Sequence, residues 1–598
     1  MSTGRIPGAI RDFYASLSIS GTSRWMLYGV GLGIITGILG LVYSWALGGG
    51  IWLIQETLAG FRMPQAGSEG SREGMVIGLR WALLILPGLG GLVVGLMHRF
   101  YTSYLVDATN GYVNAFHNRR ARVNPLKPLW RLLSSVFTIS TAGSVGKEGP
   151  VIFAASSVGS FAARLFRLPD SDRAILMVCG AGGGLGAVFR APVGGALYAA
   201  EVLYRQADFE AEAVMPAIIT SVTAYAVFAL FGNWMPIFST PHYHFRILDL
   251  PFFALLGLII SVFAFIYERS LKYADRLFHF IRIPSWLKPA LGGLMLGILI
   301  FFLPEVAGPG YGVLQVALSG KMIIWMMLVV AVGKMLATSL TVGSGGSGGI
   351  FAPSLVIGGL LGGAMGLGLS MLGAPIQPEA YVLVGMGAFL SAAAKVPLAA
   401  IVMVCEMAGN YELLVPMTLA SSLAFLVSRR FTIYPAQVEN RWESPLHRGE
   451  FAVDVLEDIT AGDAMKAPDR LPHFHPFTPV SEALEDMVEC HNECFPVEDE
   501  SGNLVGVLLL EDLRAVIFGE EIRNVRDMLL VEDVMRFNTV TLSPDDDLHK
   551  ALEQFVRGEV EELPVVEDGR FVGLLTKKGL IQAYGLEMER RLKNHRGG

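Results

Sequence analysis

Long apolar segments alternate with short polar ones from about residue 26 to residue 426. Five of the apolar segments are long enough, or nearly long enough, to cross a bilayer as helices: 26–47, 75–97, 213–231, 252–267 and 322–342. From about Gly449 the composition becomes mixed, acid-rich and typical of helices and strands. The pattern predicts an N-terminal segment (1–25), a transmembrane domain (26–447) and a soluble domain (448–598).

Composition agrees with a membrane protein. Of the 598 residues, 52% are hydrophobic and 17% are charged, and the mean hydropathy is +0.50. The 69 glycines are typical of helices that pack closely or break inside a bilayer. The sequence contains no P-loop and no nucleophile–base pair. We therefore predict that the protein is not an enzyme and has neither a metal site nor a nucleic-acid partner.

The four cysteines show no disulfide framework, which is typical of a reducing compartment. Cys490 and Cys494 flank His491 and Glu493, a group that resembles half of a metal site. No second pair of ligands lies nearby in the sequence, and free thiols are the favoured interpretation.

Basic residues indicate the orientation. Arg5, Arg11 and Arg24 precede the first apolar segment, and a basic loop over 99–131 follows the second. The positive-inside rule places both in the cytoplasm. We expect an integral protein of the inner or plasma membrane, surrounded by lipid, with both termini in the cytoplasm.

Two glycine-rich stretches interrupt the apolar pattern. Residues 143–149 read GSVGKEG and residues 343–349, at an offset of 200, read GSGGSGG, and a proline follows each. Such backbone is tolerated in a membrane only where it is buried in protein or lines a polar path. Two breaks at equivalent places predict a binding site between two halves. This pairing sets Lys147 and Glu148 against Ser347 and Gly348.

A second repeat supports the two halves. Residues 190–201 read RAPVGGALYAAE and residues 395–406 read KVPLAAIVMVCE, at an offset of 205. The offset does not distinguish parallel from inverted halves. For Glu201 and Glu406 the favoured role is structural, as a cap or an ion-pair partner, and the alternative is proton carriage.

The helix starts after the breaks predict an anion site. Residues 146–149 lead into Pro150 and a helix over 151–164, and residues 348–351 lead into a helix over 354–371. Unpaired N–H groups and the positive end of the dipole favour anions at such ends. Glu148 would compete with the anion for these amides. It is predicted to be a gate, a proton carrier or both, with simple capping as the alternative.

The soluble domain is itself duplicated. GDAMKAP at 462–468 corresponds to EDVMRFN at 532–538, and 495–513 corresponds to 563–580. Each copy is predicted to contain a helix (485–490 or 549–556) followed by two strands. The strands are joined by turns at Ser501-Gly502 and Asp568-Gly569.

These motifs resemble those of the CLC family of chloride channels and chloride/proton antiporters. GKEGP at 146–150, GGIFAP at 348–353, IYPAQ at 433–437 and the stretch 191–201 carry the resemblance. The soluble domain is similar to paired CBS (Bateman) domains. The resemblance implies an all-α polytopic membrane domain with inverted repeats and broken helices. It also implies an α+β tandem CBS domain, with copies at about 459–520 and 529–587, and a homodimer with one pore per subunit.

The resemblance also implies roles for particular residues. Glu148 would be the external gating glutamate. The amides of Ile350 and Phe351 and the hydroxyl of Tyr434 would hold a central chloride. The outer chloride would lie on amides within 146–149, those of Gly146, Lys147 and Gly149.

Two departures from the family pattern bear on function. Where the family has G-S-G-I-P, residues 106–110 read VDATN, and Asp107 would repel an anion unless it is protonated or turned away. Either the backbone at Asp107 or one of Thr109 and Asn110 is expected to bind the central anion in place of the family serine. A protein selective for fluoride or nitrate is one alternative.

The second departure is Val202. Antiporters of the family usually carry a proton-relaying glutamate there, and an apolar side chain cannot carry a proton. Val202 favours a passive, proton-gated channel. A chloride/proton antiporter with a replacement group is the alternative.

The CBS pair departs from the nucleotide motif G-x-x-(T/S)-x-x-D. The first copy keeps Asp512 but has Leu509 at the hydroxyl position, and the second keeps Thr576 but loses the acid. Adenine-nucleotide binding and a purely structural or dimer-forming role are both left open. No other cofactor is expected.

Overall fold

The computed structural model describes residues 21–67, 74–101, 107–232, 234–243, 245–447, 455–466, 471–487, 490, 492–518, 528–537, 539–558 and 560–596. Val106, Gly449, His491 and residues 1–20 of the predicted N-terminal segment lie outside these ranges. The chain forms two compact units, Met1–Leu446 and His447–Gly598.

The described part of the first unit contains sixteen α-helices in two successive sets of eight. The first set is α1 (Gly21–Ile51), α2 (Arg80–Tyr101), α3 (Ala108–Asn118), α4 (Leu126–Ser140), α5 (Glu148–Leu165), α6 (Asp170–Phe189), α7 (Pro192–Glu201) and α8 (Ala211–Phe231). The second set is α9 (Leu250–Phe280), α10 (Lys288–Phe302), α11 (Tyr311–Leu318), α12 (Ile324–Gly343), α13 (Phe351–Met371), α14 (Pro378–Ala394), α15 (Pro397–Ala408) and α16 (Leu414–Val427).

Short elements connect these helices. A π-helical turn (Trp52–Leu58) extends α1, and β1 (Phe61–Arg62) pairs antiparallel with β2 (Val76–Ile77). The 3-10 turns are Ile247–Asp249, Ser285–Leu287, Pro304–Val306 and Arg441–Glu443. Eight helical segments in the described residues are long and apolar enough to cross a membrane. This agrees with the apolar pattern of the sequence.

The two sets break at equivalent places. Helices α6 and α14 end at Arg190 and Lys395, which both adopt the left-handed conformation, with φ of 53° and 66°. Two residues later α7 and α15 begin at Pro192 and Pro397, where the missing proline N–H needs no partner. In each half, therefore, a left-handed residue ends one helix and a proline begins the next.

Two glutamates join the halves reciprocally. Glu406 of the second half accepts hydrogen bonds from the N–H groups of Val193 (3.1 Å) and Gly194 (2.7 Å) at the start of α7. Glu201 of the first half does the same for Leu398 (3.0 Å) and Ala399 (2.7 Å) at the start of α15. Both glutamates act as helix caps, as the favoured structural role predicts. Because each half caps the other, the halves are related by an approximate two-fold axis, which agrees with the inverted repeat that the family resemblance implies.

The second unit contains two β-hairpins with flanking helices. The helices are α17 (Ala461–Ala464), α18 (Val480–Met487), α19 (Leu510–Phe518), α20 (Val531–Val534), α21 (Leu548–Gly558) and α22 (Lys577–Arg596). The strands β3 (Cys494–Glu498) and β4 (Leu504–Leu509) pair antiparallel, as do β5 (Glu562–Glu567) and β6 (Arg570–Thr576). The turns lie at Gly502 and Asp568-Gly569, where φ is positive, as the sequence predicts.

The two copies exchange their first segments. Lys466 at the start of the first copy pairs with Leu574 of the second, and Arg536 of the second pairs with Val507 of the first. Accordingly, Ile459 is buried in the core of the second copy, beside residues of α21 and β5. The sequence copies therefore do not coincide with the packed cores.

We predict that Glu406→Ala destabilises the membrane unit. The change leaves two helix-start N–H groups without their acceptor, at a cost of about 1–3 kcal/mol for each group. The melting temperature of the detergent-purified protein should fall. Glu406→Gln keeps an acceptor oxygen and should melt nearer to the wild type. Equal melting of the alanine variant and the wild type would contradict the capping role.

Candidate functional site

The two glycine-rich breaks meet face to face at the centre of the first unit. The Gly146 N–H donates to the Gly349 carbonyl and the Gly349 N–H donates to the Gly146 carbonyl, both at 2.8 Å. Two further bonds flank this pair, from the Ser144 N–H to Thr341 Oγ1 (3.3 Å) and from the Ser347 N–H to Thr138 Oγ1 (3.2 Å). Hydrogen bonds to the opposite half thus satisfy the unwound backbone of each break. We call this pairing the glycine junction.

The junction corrects the offset between the two motifs. Its bonds match residues 203 positions apart, not 200, so that Pro150 corresponds to Pro353. The expected match of Lys147 and Glu148 to Ser347 and Gly348 is wrong. The second copy contains two Gly-Ser steps, at 343–344 and 346–347, and the later one is the true equivalent.

In the corrected register, Glu148 stands at the position of Phe351, and Lys147 at that of Ile350. Both α5 and α13 begin at these positions, with Glu148 and Phe351 as their first residues. One helix start therefore carries a cation and a carboxylate where the other carries two apolar side chains.

Glu148 is fully buried at the junction. Its Oε1 accepts a hydrogen bond from the Ala352 N–H (2.8 Å), in the first turn of α13, which contains no acidic residue of its own. The carboxylate thus occupies the positive end of the opposite helix. A Cβ on Gly146 would lie 2.0 Å from a Glu148 oxygen, and one on Gly349 would lie 2.7 Å from Oε1. Only glycine leaves room for the carboxylate at both positions.

Asp107 caps α3. Its Oδ2 accepts from the Asn110 N–H (2.8 Å), while its Oδ1 is buried and has no hydrogen-bond partner among the described residues. The Asn110 side-chain oxygen accepts from the Ala436 N–H (2.8 Å), which fixes the loop that carries Tyr434. The Thr109 hydroxyl is buried and likewise has no partner in the described part of the chain. Of the two side chains expected to replace the serine, Asn110 is hydrogen-bonded to backbone, whereas the Thr109 hydroxyl has no partner among the described residues.

Tyr434 is fully buried, and its hydroxyl lies 3.0 Å from that of Tyr198. Tyr198, on α7, is a site residue that the sequence analysis missed. The amide of Gln437 holds the same loop by donating to the carbonyls of Val202 (2.8 Å) and Ala394 (2.9 Å). The glutamine of IYPAQ therefore positions the tyrosine.

Val202 is fully buried, next to the capping Glu201. Another buried carboxylate lies nearby: Glu210 accepts a hydrogen bond from the Tyr204 hydroxyl, and its N–H donates to the Ala200 carbonyl (3.3 Å). The sequence analysis missed Glu210 because nothing in its spacing connects it to position 202.

Within the described part of the chain, two of the larger cavities approach the junction. The first, about 370 Å³, is lined by Lys147 and also by Arg62, Arg190, Ile139 and Gly310. The second, about 270 Å³, is lined by Ile350 and also by Asp107, Glu268, Lys272, Asp275 and Val342. We call them the Lys147 cavity and the Asp107 cavity.

These cavities are two-fold equivalents. Lys147 and Ile139 of one correspond to Ile350 and Val342 of the other at the offset of 203. An inverted repeat places equivalent features on opposite sides of the membrane. The cavities therefore approach the junction from opposite sides, one with mainly basic residues and the other with mainly acidic ones.

In the second unit, the residues predicted to bind a nucleotide form hydrogen bonds with neighbouring groups of the protein. Both oxygens of Asp512 accept from the Arg536 guanidinium, at 2.7 and 2.8 Å. The Thr576 hydroxyl oxygen accepts from the Gly579 N–H (2.9 Å). A ribose on Asp512 would have to displace Arg536.

Cys494 is buried in an apolar cluster with Val507, Phe571 and Leu574. Burial raises the pKa of its thiol to about 12, so it remains protonated at neutral pH. Metal-binding cysteines are thiolates, and this environment is typical of a structural thiol.

The fold and junction define a helical membrane protein with two inverted halves and paired broken helices. The family described as voltage gated chloride channel matches residues 90–429, and the CBS domain family matches residues 461–519 and 531–585. The chain belongs to this chloride channel family, the CLC family, and carries a CBS pair. The family and the fold class predicted from the sequence are confirmed.

Relatives and solved structures agree. A putative chloride channel protein ClcB-like of Ralstonia nicotianae is 30% identical over 60% of this chain and 86% of its own length. An H(+)/Cl(-) exchange transporter ClcA of Vibrio campbellii is 28% identical over 60% of this chain and 79% of its own. The crystal structure of a slow cyanobacterial Cl-/H+ antiporter superimposes with a TM-score of 0.59 at 22% identity, over 69% of this chain and 96% of that one. This last likeness is one of fold.

We predict that Gly349→Ala disrupts the junction. The added Cβ would lie 2.7 Å from both Glu148 Oε1 and the Gly149 nitrogen, and such overpacking typically costs about 1–3 kcal/mol. The melting temperature of the purified protein should fall. Gly368→Ala, in the same helix, meets no atom within 4 Å and is the matched control. Equal melting of the two variants would contradict the close packing at the junction.

Proposed function

We propose that this protein transports chloride across a membrane along a path through the glycine junction, and that Glu148 controls it. One observation carries the proposal: the Glu148 carboxylate accepts the Ala352 N–H at the start of α13. A carboxylate bound to free helix amides occupies the place of a small anion. An anion reaching these amides has to displace it.

The polar groups around the junction suit a monovalent anion. They are backbone N–H groups, including those of Ile350 and Phe351, and the hydroxyls of Thr109 and Tyr434. None of these carries a full positive charge, so binding is selective but weak enough for release. The relatives described as chloride channel and chloride exchange proteins support chloride as the anion. Amides near Gly146, Lys147 and Gly149 are proposed for a second, outer chloride.

Protonation opens the path in this proposal. A neutral carboxyl group binds helix amides less strongly than a carboxylate, so a protonated Glu148 leaves Ala352 and an anion takes its place. The two cavities support the arrangement, because each ends beside one of the two helix starts. Lys147 and Arg190 supply positive charge on the gate's side.

Passive conduction is the proposed mode of transport, because the apolar side chain of Val202 cannot carry a proton. Chloride/proton exchange is a second candidate, and a specific observation favours it: the second cavity contains acidic residues, including Asp107 beside the junction. We further propose a homodimer with cytoplasmic termini in the cell membrane. Adenine-nucleotide binding by the CBS pair is proposed on the family's account, with Arg536 released from Asp512.

We expect chloride efflux from liposomes to rise as the external pH falls, because protons remove the Glu148 charge. Glu148→Gln and Glu148→Ala should leave the path open and efflux independent of pH. A chloride electrode with valinomycin present measures the flux. Glu443→Gln, an exposed carboxylate change in the same unit, serves as the control. A Glu148→Ala variant that stays closed at neutral pH would contradict the gate.

A further inference from the structure

Buried carboxylates line the Asp107 cavity. Asp107 and Glu268 both line it, and each is at least 95% buried. Glu268 forms an ion pair with Lys272, one turn further along α9, and Arg269 Nε lies 3.8 Å from its Oε2. Buried carboxylates in a membrane domain are costly and are typically found on ion or proton paths.

The start of α3 reaches from this cavity to the glycine junction. A Cβ on Gly149 would lie 3.1 Å from Thr109 Oγ1 and 3.1 Å from the Gly349 Cα. The start of α3, which Asp107 caps, therefore packs directly against the turn that carries Glu148. Asp107 is thus an acidic group that lines the cavity and caps the helix packed against the gate.

Several buried oxygens in this region have no hydrogen-bond partner among the described residues, and three of them lie at or next to the glycine junction. These three are Asp107 Oδ1, Thr109 Oγ1 and Glu148 Oε2. A carboxylate oxygen buried in this way is stable only with a proton or a donor. The Asp107 cavity is large and polar enough to hold several water molecules, which can carry protons between its acids.

We propose that Glu268 and Asp107 form an inner proton relay to Glu148, in place of the glutamate lost at Val202. A proton from cavity water binds the Glu268 carboxylate, and cavity water transfers it to Asp107 Oδ1. Asp107 then gives the proton to Glu148 Oε2 and returns to its charged form. Neutral Glu148 releases the Ala352 N–H to an incoming anion and later loses the proton on the side of the Lys147 cavity.

The direction follows from the predicted topology. Asp107 comes shortly after the basic end of α2, which contains His98 and Arg99 and is predicted to be cytoplasmic. The Asp107 cavity is then the inner one. The relay rests on the proposed role of Glu148 and specifies the exchange mode.

The charged and titratable groups that face Asp107 come from several elements. They include the Arg131 guanidinium on α4 and the Glu148 carboxylate. The hydroxyls of Tyr198, Tyr267 and Tyr434 interact electrostatically with Asp107, and Glu268, Lys272 and Asp275 line the same cavity. Charged groups of both signs therefore surround the Asp107 carboxylate.

The test is Asp107→Asn in the full-length protein, reconstituted in liposomes. Asparagine caps a helix as well as aspartate but cannot release a proton. Chloride and proton movement are recorded together while a chloride gradient drives protons uphill. We expect the variant to keep most of its chloride efflux while proton movement falls by about 100-fold. Asp107→Ser, the family residue, should behave in the same way, and Glu268→Gln should slow proton movement.

The matched control is Glu210→Gln. Glu210 is a buried carboxylate near Val202 that lines neither cavity, and its replacement should leave both fluxes unchanged. Undiminished proton movement in Asp107→Asn would overturn the relay. Loss of proton movement in Glu210→Gln, with proton movement kept in Asp107→Asn, would overturn it as well.

Other outcomes separate the relay from the transport proposal. Chloride efflux without proton movement in the wild type would overturn the relay and leave chloride transport standing. Loss of both fluxes in both Asp107 variants would also overturn it, because Asp107 would then serve the anion itself. A wild type that moves no chloride would overturn the proposed function.

Discussion

The backbone pairing of Gly146 with Gly349 is the constraint on which the rest of the membrane unit depends. A bilayer offers no partner for the N–H and carbonyl groups of an unwound segment, so the two breaks must satisfy each other. The exchange of two 2.8 Å bonds does this and brings the first turns of α5 and α13 together. Glycine is required there because a side chain would collide with the Glu148 carboxylate.

Function arises where the two halves differ. The scaffold is two-fold, yet Glu148 faces an apolar Phe351 across the axis, and Asp107 stands at the capping position that Gly310 holds in the other half. In the proposed mechanism, one carboxylate closes a path that two equivalent helix starts would leave open. The buried cations Arg131 and Lys334, by contrast, occupy equivalent positions 203 residues apart, and positive charge is common to both halves.

Much of this architecture could be predicted from the sequence because glycine, proline and glutamate recur at fixed spacings. The breaks, the two halves and the family all follow from such local signals. The exact offset did not follow, because a repetitive Gly-Ser stretch fits two registers. Tyr198, Gln437 and Glu268 were also missed, since their places at the site arise from packing between distant segments. In the soluble unit, the exchange of first segments between the copies leaves no trace in the order of the sequence.

The crossed glutamate caps have a consequence for how the protein is made. The amides of Val193 and Gly194 are capped by Glu406, which is synthesised 213 and 212 residues later. At typical rates of protein synthesis this delay is about 10–40 s. During this interval the first half is in the membrane with an incomplete helix start. Until then, water or the insertion machinery has to supply hydrogen-bond partners for these amides, because lipid cannot. Neither half therefore reaches its final hydrogen-bonded structure without the other.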